Sequence, residues 1–195
     1  DIGNIKKAVA EPADFDAFWN DQLAKLDGTA PELLEAREVV SPDASFTMYA
    51  IRIRFCAKNT WGNYVSGYLS VPKSAKKGTL TLNVTFMGAG VSDIRKVCTA
   101  GTATLAVAAH SMELGRDSSY YGGLMNSTLR DYMGAHNQTR DSVYFREMIL
   151  RDVQGVRFMK QYFGADGADE RFTGLWNTKK GVILSGGSQG GCQAV

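Results

Sequence analysis

The sequence has few of the features that mark membrane, nucleic-acid-binding or disulfide-rich proteins. Its 195 residues contain no apolar run long enough to span a bilayer, and no basic segment followed by an apolar core and a cleavage site. The 22 basic and 20 acidic side chains are mixed along the chain and give a net charge of +2, which argues against a nucleic-acid partner. With 44% hydrophobic and 22% charged residues, the composition is typical of one soluble globular domain.

Cysteine is also scarce. Cys56, Cys98 and Cys192 are odd in number and lack the spacing of metal ligands, so we predict buried free thiols, no disulfide framework and no metal site. The first residue is Asp1 rather than Met, which leads us to expect that sequence was removed upstream of it. A secreted or periplasmic location is compatible with that expectation, and the compartment stays open.

The N-terminal half of the chain predicts one helix and an antiparallel pair of strands. Aromatic and apolar residues recur at helical spacing over residues 12–26, which favours an amphipathic helix within an N-terminal helical segment, 1–40. Residues 46–55 and 64–71 alternate in the manner of strands around a turn at 59–63, and they predict a hairpin at the edge of a sheet.

The remainder of the chain predicts parallel strands alternating with helices. Residues 80–86 and 104–109 are short, almost continuously apolar runs, typical of strands covered by helices on both faces. Residues 120–140 show no period and predict a long surface loop, whereas apolar spacing over 145–159 predicts a helix. We therefore expect residues 41–195 to form an α/β sandwich that begins with a hairpin and continues as a parallel sheet.

The most informative segment is an apolar strand that runs into Gly-x-Ser-x-Gly. Residues 182–184 are Val-Ile-Leu, and Gly186, Ser188 and Gly190 follow in the pattern that α/β-hydrolases use to present a nucleophilic serine on a sharp strand-to-helix turn. The two glycines leave room for close packing at that turn. The alternatives are weaker: a glycine-rich turn without catalysis, or a phosphate loop, which would need a following Lys-Ser/Thr pair.

Backbone N–H groups near the serine are the candidates for stabilising an oxyanion. The N–H of Gln189 directly follows the nucleophile, at the start of the next helix, where the positive end of the helix dipole favours anionic charge. The second donor should come from the glycine-rich turn after strand 80–86, and we assign it to the N–H of Ala89.

The sequence has only two histidines, and both precede the serine. His110 follows strand 104–109 and so should lie at the same end of the sheet as Ser188, where it is a candidate neighbour of the active site. In α/β-hydrolases, however, the catalytic acid and base come later in the chain than the serine. His136 lies in the irregular segment, and its simplest reading is solvent exposure.

Several segments resemble the cephalosporin C deacetylase and acetyl xylan esterase group, family seven of the carbohydrate esterases. The resemblance extends in order over nearly the whole chain. It rests on Asp14-Phe15-Asp16-Ala17-Phe18-Trp19, on Val65-Ser66-Gly67-Tyr68-Leu69-Ser70-Val71-Pro72, on Arg151-Asp152-Val153 and, most specifically, on Gly186-Gly187-Ser188-Gln189-Gly190-Gly191. Two segments depart from the family pattern. Ala89-Gly90-Val91 lacks the usual Tyr, and residues 110–115 lack the usual Asp-x-Arg-Gly-x-Gly run.

The resemblance implies an α/β-hydrolase sandwich, incomplete at its C-terminal side, that carries the serine of a Ser-His-Asp triad. It implies hydrolysis of acetyl esters on sugars, with an acetylated carbohydrate as substrate, no cofactor or metal, and a tendency to form homo-oligomers, as hexamers. Only seven residues follow Ser188, so we expect the triad Asp and His in a further C-terminal segment of the same domain. Alone, the chain should be nearly inactive.

Two alternatives to this esterase stay open. The altered segments at Ala89 and His110 would suit a non-catalytic carbohydrate-binding relative. An inactive truncation is the other, in which the apolar strand 182–184 would form an uncovered sheet edge that aggregates or recruits a partner.

Overall fold

The structure is a computed structural model that describes residues 9–56 and 61–195. In chain order its elements are helix α1 (Phe15–Asp27), strands β1 (Leu33–Val39), β2 (Phe46–Arg54), β3 (Tyr64–Pro72), β4 (Thr81–Phe86) and β5 (Thr102–Val107), helices α2 (Ser118–Met125) and α3 (Tyr144–Phe163), strand β6 (Val182–Gly186) and helix α4 (Gln189–Gln193). A 3₁₀ turn at Thr178–Lys180 precedes β6.

The six strands form one mixed sheet in the order β1-β2-β3-β5-β4-β6. Strands β1, β2, β3 and β5 pair antiparallel in succession, and β4 lies between β5 and β6, parallel to both. Since β4, β5 and β6 are parallel, their carboxyl ends meet at the same side of the sheet. The segments that follow those ends include the two glycine turns and His110.

Each face of the sheet carries its own apolar core. Strand β2 shows the alternation: Ile51 and Ile53 pack on the face that α3 covers, and Met48 and Ala50 pack on the opposite face. Helix α3 lies across the first face with Phe158, Met159 and Phe163 fully buried. The opposite face is covered by the chain that follows β5, including Met112, Tyr121 and Tyr132.

The strands and helices predicted from periodicity are present, and four expectations need correction. The N-terminal segment 1–40 is not helical throughout, because β1 follows α1 within it. Strand β1 also places the β2–β3 hairpin inside the sheet rather than at its edge. Residues 120–140 are not all loop, since α2 extends into them. The predicted hairpin turn at 59–63 lies largely outside the described residues.

The fourth correction concerns the cysteines. None of the three is disulfide-bonded in the structure, but they are not buried as predicted: Cys56 and Cys98 are only partly buried and Cys192 is exposed.

None of the helices within residues 9–56 and 61–195 has the length and apolar character that a bilayer crossing requires.

Candidate active site

Ser188 occupies the turn between β6 and α4 in a backbone conformation that few non-glycine residues adopt. Its φ is 55° and its ψ is −126°, and its side chain is exposed. Such a conformation costs about 1–3 kcal/mol and persists only where the surrounding structure enforces it. The turn therefore lifts the serine hydroxyl above the carboxyl end of β6.

Two glycines allow this turn to pack against its neighbours. A Cβ on Gly186 would lie 2.2 Å from the carbonyl oxygen of Gly190, and a Cβ on Gly190 would lie 2.2 Å from the carbonyl oxygen of Phe86. Both approaches are far inside van der Waals contact, so neither position accepts a side chain. By contrast, a Cβ on Gly187 would meet nothing within 4 Å. This geometry gives a steric reason for glycine at positions 186 and 190.

The turn that follows β4 lies beside the serine. A Cβ built on Gly88 would be 3.9 Å from the Cβ of Ser188 and 3.6 Å from the carbonyl oxygen of Gly187. The structure therefore brings the Met87–Gly90 turn, which includes Ala89, next to the strand-to-helix turn at Gly186–Gly190, as the sequence predicted. We call this second turn the elbow. Gln189 is the first residue of α4, where a backbone N–H has no partner within the helix.

A buried polar network fixes His110 behind that turn. The ring is 1% exposed; its Nε2 lies 3.0 Å from the carbonyl oxygen of Gly90, and its Nδ1 contacts the Tyr144 hydroxyl. Burial lowers the pKa of His110 to about 4, with the nearby charge of Arg151 acting in the same direction and the Gly90 hydrogen bond opposing it. The imidazole is neutral at pH 7 and has a single N–H.

Because the His110 ring is neutral, only one of its two nitrogens carries a proton, and the hydrogen-bond partners show which one. The carbonyl of Gly90 can only accept, so Nε2–H donates to it and Nδ1 accepts from the Tyr144 hydroxyl. Arg151, which is fully buried, donates from Nη2 to the Tyr144 hydroxyl and to the carbonyl oxygen of Ala109, each at 3.0 Å. His110 is therefore near the elbow, but both of its nitrogens are engaged away from Ser188.

Tyr132 connects the two glycine turns. Its hydroxyl accepts a hydrogen bond from the N–H of Gly90 and donates one to Oε1 of Gln189, each at 3.1 Å. Nε2 of Gln189 in turn contacts the sulfur of Met148 at 3.4 Å. No sequence pattern marks Tyr132, because residues 120–140 show no periodicity; the length of that segment is the only signal of function.

His136, the second histidine, stacks edge-on against Trp61 with ring centroids 5.3 Å apart, and the backbone at His136 has a φ of 59°.

A cavity of about 180 Å³ opens beside the Ala89 turn, with Ser92, Asp93 and Arg95 in its wall. Within residues 9–56 and 61–195, no three His, Cys, Asp or Glu side chains cluster in a way that could ligate a metal ion.

Comparison with sequence models of protein families shows to which family the chain belongs. The sequence model of the acetyl xylan esterase family matches residues 1–195. The chain belongs to the acetyl xylan esterase family. The predicted resemblance is thereby confirmed. No sequence among the curated proteins matches the chain.

Solved structures of acetyl xylan esterases share the fold. Acetyl xylan esterase 1 from Thermoanaerobacterium sp. JW/SL YS485 is 19% identical with a TM-score of 0.66, and the alignment covers 94% of this chain and 53% of that one. An acetyl xylan esterase from Paenibacillus sp. R4 is 17% identical with a TM-score of 0.67, over 96% of this chain and 56% of that one. The likeness confirms the predicted α/β-hydrolase fold, and the chain spans about half the length of these structures.

Proposed function

We propose that the protein is a serine carboxylic-ester hydrolase that removes acetyl groups from acetylated sugars or xylan-type oligosaccharides. The observation that supports this most directly is the conformation of Ser188, exposed on a strained strand-to-helix turn with the Met87–Gly90 turn beside it. Strained backbone at an exposed serine has little structural purpose, whereas a nucleophile needs that presentation. Membership of the acetyl xylan esterase family supports acetylated carbohydrate as the substrate class.

In the proposed reaction, Oγ of Ser188 attacks the ester carbonyl carbon while a base accepts the hydroxyl proton. The N–H groups of Gln189 and Ala89 donate to the oxygen, which becomes negatively charged. The carbon–oxygen bond to the sugar then breaks, and the sugar hydroxyl leaves with the proton that the base returns. Water hydrolyses the acetyl-serine to acetate and free Ser188.

The proposal assigns the base and its orienting carboxylate to residues outside these 195. Three observations support that assignment. His110 is buried with both nitrogens hydrogen-bonded to groups other than Ser188. His136 contacts Trp61 instead. The matching structures are also about twice as long as this chain.

A fluorophosphonate probe tests this function, because it reacts only with an activated serine. We expect the intact protein to be labelled at Ser188, as located by mass spectrometry of the digested protein, and to release acetate from acetylated xylo-oligosaccharides. The matched control is Ser185→Ala, three residues earlier in β6, where the hydroxyl only donates to Oδ1 of Asn83. An intact protein that binds acetylated oligosaccharide without labelling or acetate release would instead be the non-catalytic carbohydrate-binding relative.

A homo-oligomer remains a prediction from the family resemblance. Sedimentation of the intact protein would test it.

A further inference from the structure

The hydrogen bonds of Tyr132 suggest a role beyond packing. Its hydroxyl contacts both glycine turns of the candidate site, accepting from Gly90 and donating to Gln189. Those two turns carry the proposed oxyanion donors. Besides direct packing and a hydrogen bond from Nε2 of Gln193 to the carbonyl oxygen of Met87, this hydroxyl joins the parts of the chain whose relative position decides whether the two N–H groups converge.

The Gly90 residue is held from both sides. Tyr132 fixes the peptide group between Ala89 and Gly90 through the Gly90 N–H, and His110 fixes the next peptide group through the Gly90 carbonyl. Gly90 has a φ of 127°, a conformation open to glycine and costly for other residues. Without these two hydrogen bonds, nothing in the described contacts would select this conformation of a flexible residue.

Tyr132 is itself held rigidly. The residue is 4% exposed, and its ring packs edge-on against His110, with centroids 4.6 Å apart, and against Tyr144, with centroids 4.9 Å apart. Gln189, at the other end, is also anchored through Met148 of α3. Hydrogen bonds within such a buried network are worth more than exposed ones, and they restrict the groups that they join.

We propose that Tyr132 is a positioning residue for the oxyanion hole: its hydroxyl holds the turn that bears Ala89 against the elbow that bears Gln189. Tyr132 does not touch the reacting atoms and acts through Gly90 and the Gln189 side chain. This proposal rests on the proposed function, because it specifies how the donors of that reaction are aligned. It predicts that loss of the hydroxyl slows the chemical step and leaves substrate binding intact.

The test replaces Tyr132 with Phe in the intact protein, which removes the hydroxyl and keeps the ring. The matched control is Tyr162→Phe. Tyr162 is also buried and hydrogen-bonded, its hydroxyl accepting from the N–H of Leu33 at 2.9 Å, but it lies about 20 Å along α3 from Met148. Both variants lose one buried hydroxyl, and only one of them loses the link between the turns.

Two measurements are made on both variants. For hydrolysis of p-nitrophenyl acetate, we expect Tyr132→Phe to lower kcat about tenfold with KM changed less than twofold. This loss is smaller than the roughly 10²-fold or greater loss on deleting an oxyanion donor outright. Hydrogen–deuterium exchange should become faster in peptides that contain Gly90, because that amide loses its acceptor. Tyr162→Phe should match the wild type in kcat and in exchange at Gly90.

A double variant tests whether Tyr132 acts through the side chain of Gln189. If Tyr132 acts through the Gln189 side chain, Tyr132→Phe combined with Gln189→Ala should cost no more than the worse single variant. An unchanged kcat together with unchanged exchange at Gly90 would overturn the proposal, and so would a kcat that falls equally in Tyr162→Phe. If the wild type neither hydrolyses esters nor reacts with fluorophosphonate, the proposed function fails, and the exchange measurement still decides whether Tyr132 holds the turn.

Discussion

Two strand ends at the same side of the sheet present opposite environments. The chain after β6 places Ser188 in solvent on strained backbone, whereas the chain after β5 places His110 in a buried position where both nitrogens are hydrogen-bonded. Both residues are of types that catalyse ester hydrolysis, and the topology brings both to one edge. The difference teaches that burial and existing partners, more than position in the fold, separate a candidate nucleophile from a structural residue.

The largest effect should come from Ser188→Ala, which removes the proposed nucleophile. We expect fluorophosphonate labelling to disappear and ester hydrolysis by the intact protein to fall at least about 10³-fold. The midpoint of thermal unfolding should stay close to that of the wild type, because the exposed hydroxyl makes no described hydrogen bond. Ser185→Ala should retain both activities, and persistent labelling of Ser188→Ala would contradict the role of the exposed residue.

The second effect concerns the room that the elbow requires. Gly190→Ala would place a Cβ 2.2 Å from the carbonyl oxygen of Phe86, so β4 and α4 must separate. We expect a loss of about 1–3 kcal/mol in the free energy of unfolding and an activity loss of about 10²-fold or more. Gly187→Ala is the matched control, because its Cβ would meet open space. Equal effects of the two substitutions, measured by urea unfolding and ester hydrolysis, would contradict this account of the elbow.

The third prediction concerns the way in which the buried His110 makes the free energy of unfolding depend on pH. The pKa of His110 is about 4 in the folded protein and about 6.5 when unfolded, so the unfolded chain binds more protons between those values. The free energy of unfolding should therefore fall as pH drops from about 6.5 to 4, by about 2–3 kcal/mol at pH 4.5 from this group. Burial raises the pKa of Tyr144, which contacts the ring, to about 12, so Tyr144 does not titrate in this range.

A variant is needed to separate the contribution of His110 from the contributions of other groups that titrate. Burial raises the pKa of Asp152 well above its usual value, so the contribution of Asp152 changes with pH in the opposite direction. His110→Gln can keep a donor to Gly90 and an acceptor for Tyr144 without titrating. We expect urea unfolding at pH 7 and pH 4.5 to show that this variant loses less stability than the wild type on acidification. If the wild type and the variant lost the same stability on acidification, the pKa of His110 would have to be the same in the folded and the unfolded protein.

The smallest effect should follow removal of the hydroxyl next to His110. Tyr144→Phe leaves Nδ1 of His110 without its donor and removes one acceptor from Arg151. We expect a loss of about 1–2 kcal/mol in urea unfolding, and an activity loss below tenfold because Tyr144 makes no described contact with Ser188, Ala89 or Gln189. A loss of activity as large as that of Ser188→Ala would place the buried network in the reaction itself.

Much of the fold was predictable because its signals are local. Alternation predicted β2 and β3, apolar runs predicted β4 to β6, and helical spacing predicted α1 and α3, all to within a few residues. Strand β1 was missed because residues 33–39 alternate weakly and are nowhere fully buried. Ser188 and its glycines were predictable for a different reason: a sharp turn restricts the residue types on either side, and this leaves a short motif.

The connections between segments were not predictable. Tyr132 and Gln189 are joined across 57 positions of sequence, and His110 and Tyr144 across 34. No spacing or period marks such pairs, since tertiary packing alone brings them together. Sequence placed His110 at the correct edge of the sheet but could not show that the ring is buried and neutral.

The positive φ of Ser188 has a consequence for how the protein fails under stress. The strained backbone of Ser188 is enforced by close packing at two glycines, Gly190 against the carbonyl of Phe86 and Gly88 against the carbonyl of Gly187. Separation of these two turns would release the serine from its strained conformation before the core beneath α3 opens. In rising urea, we therefore expect reactivity toward the probe to vanish at a lower concentration than the tertiary structure does.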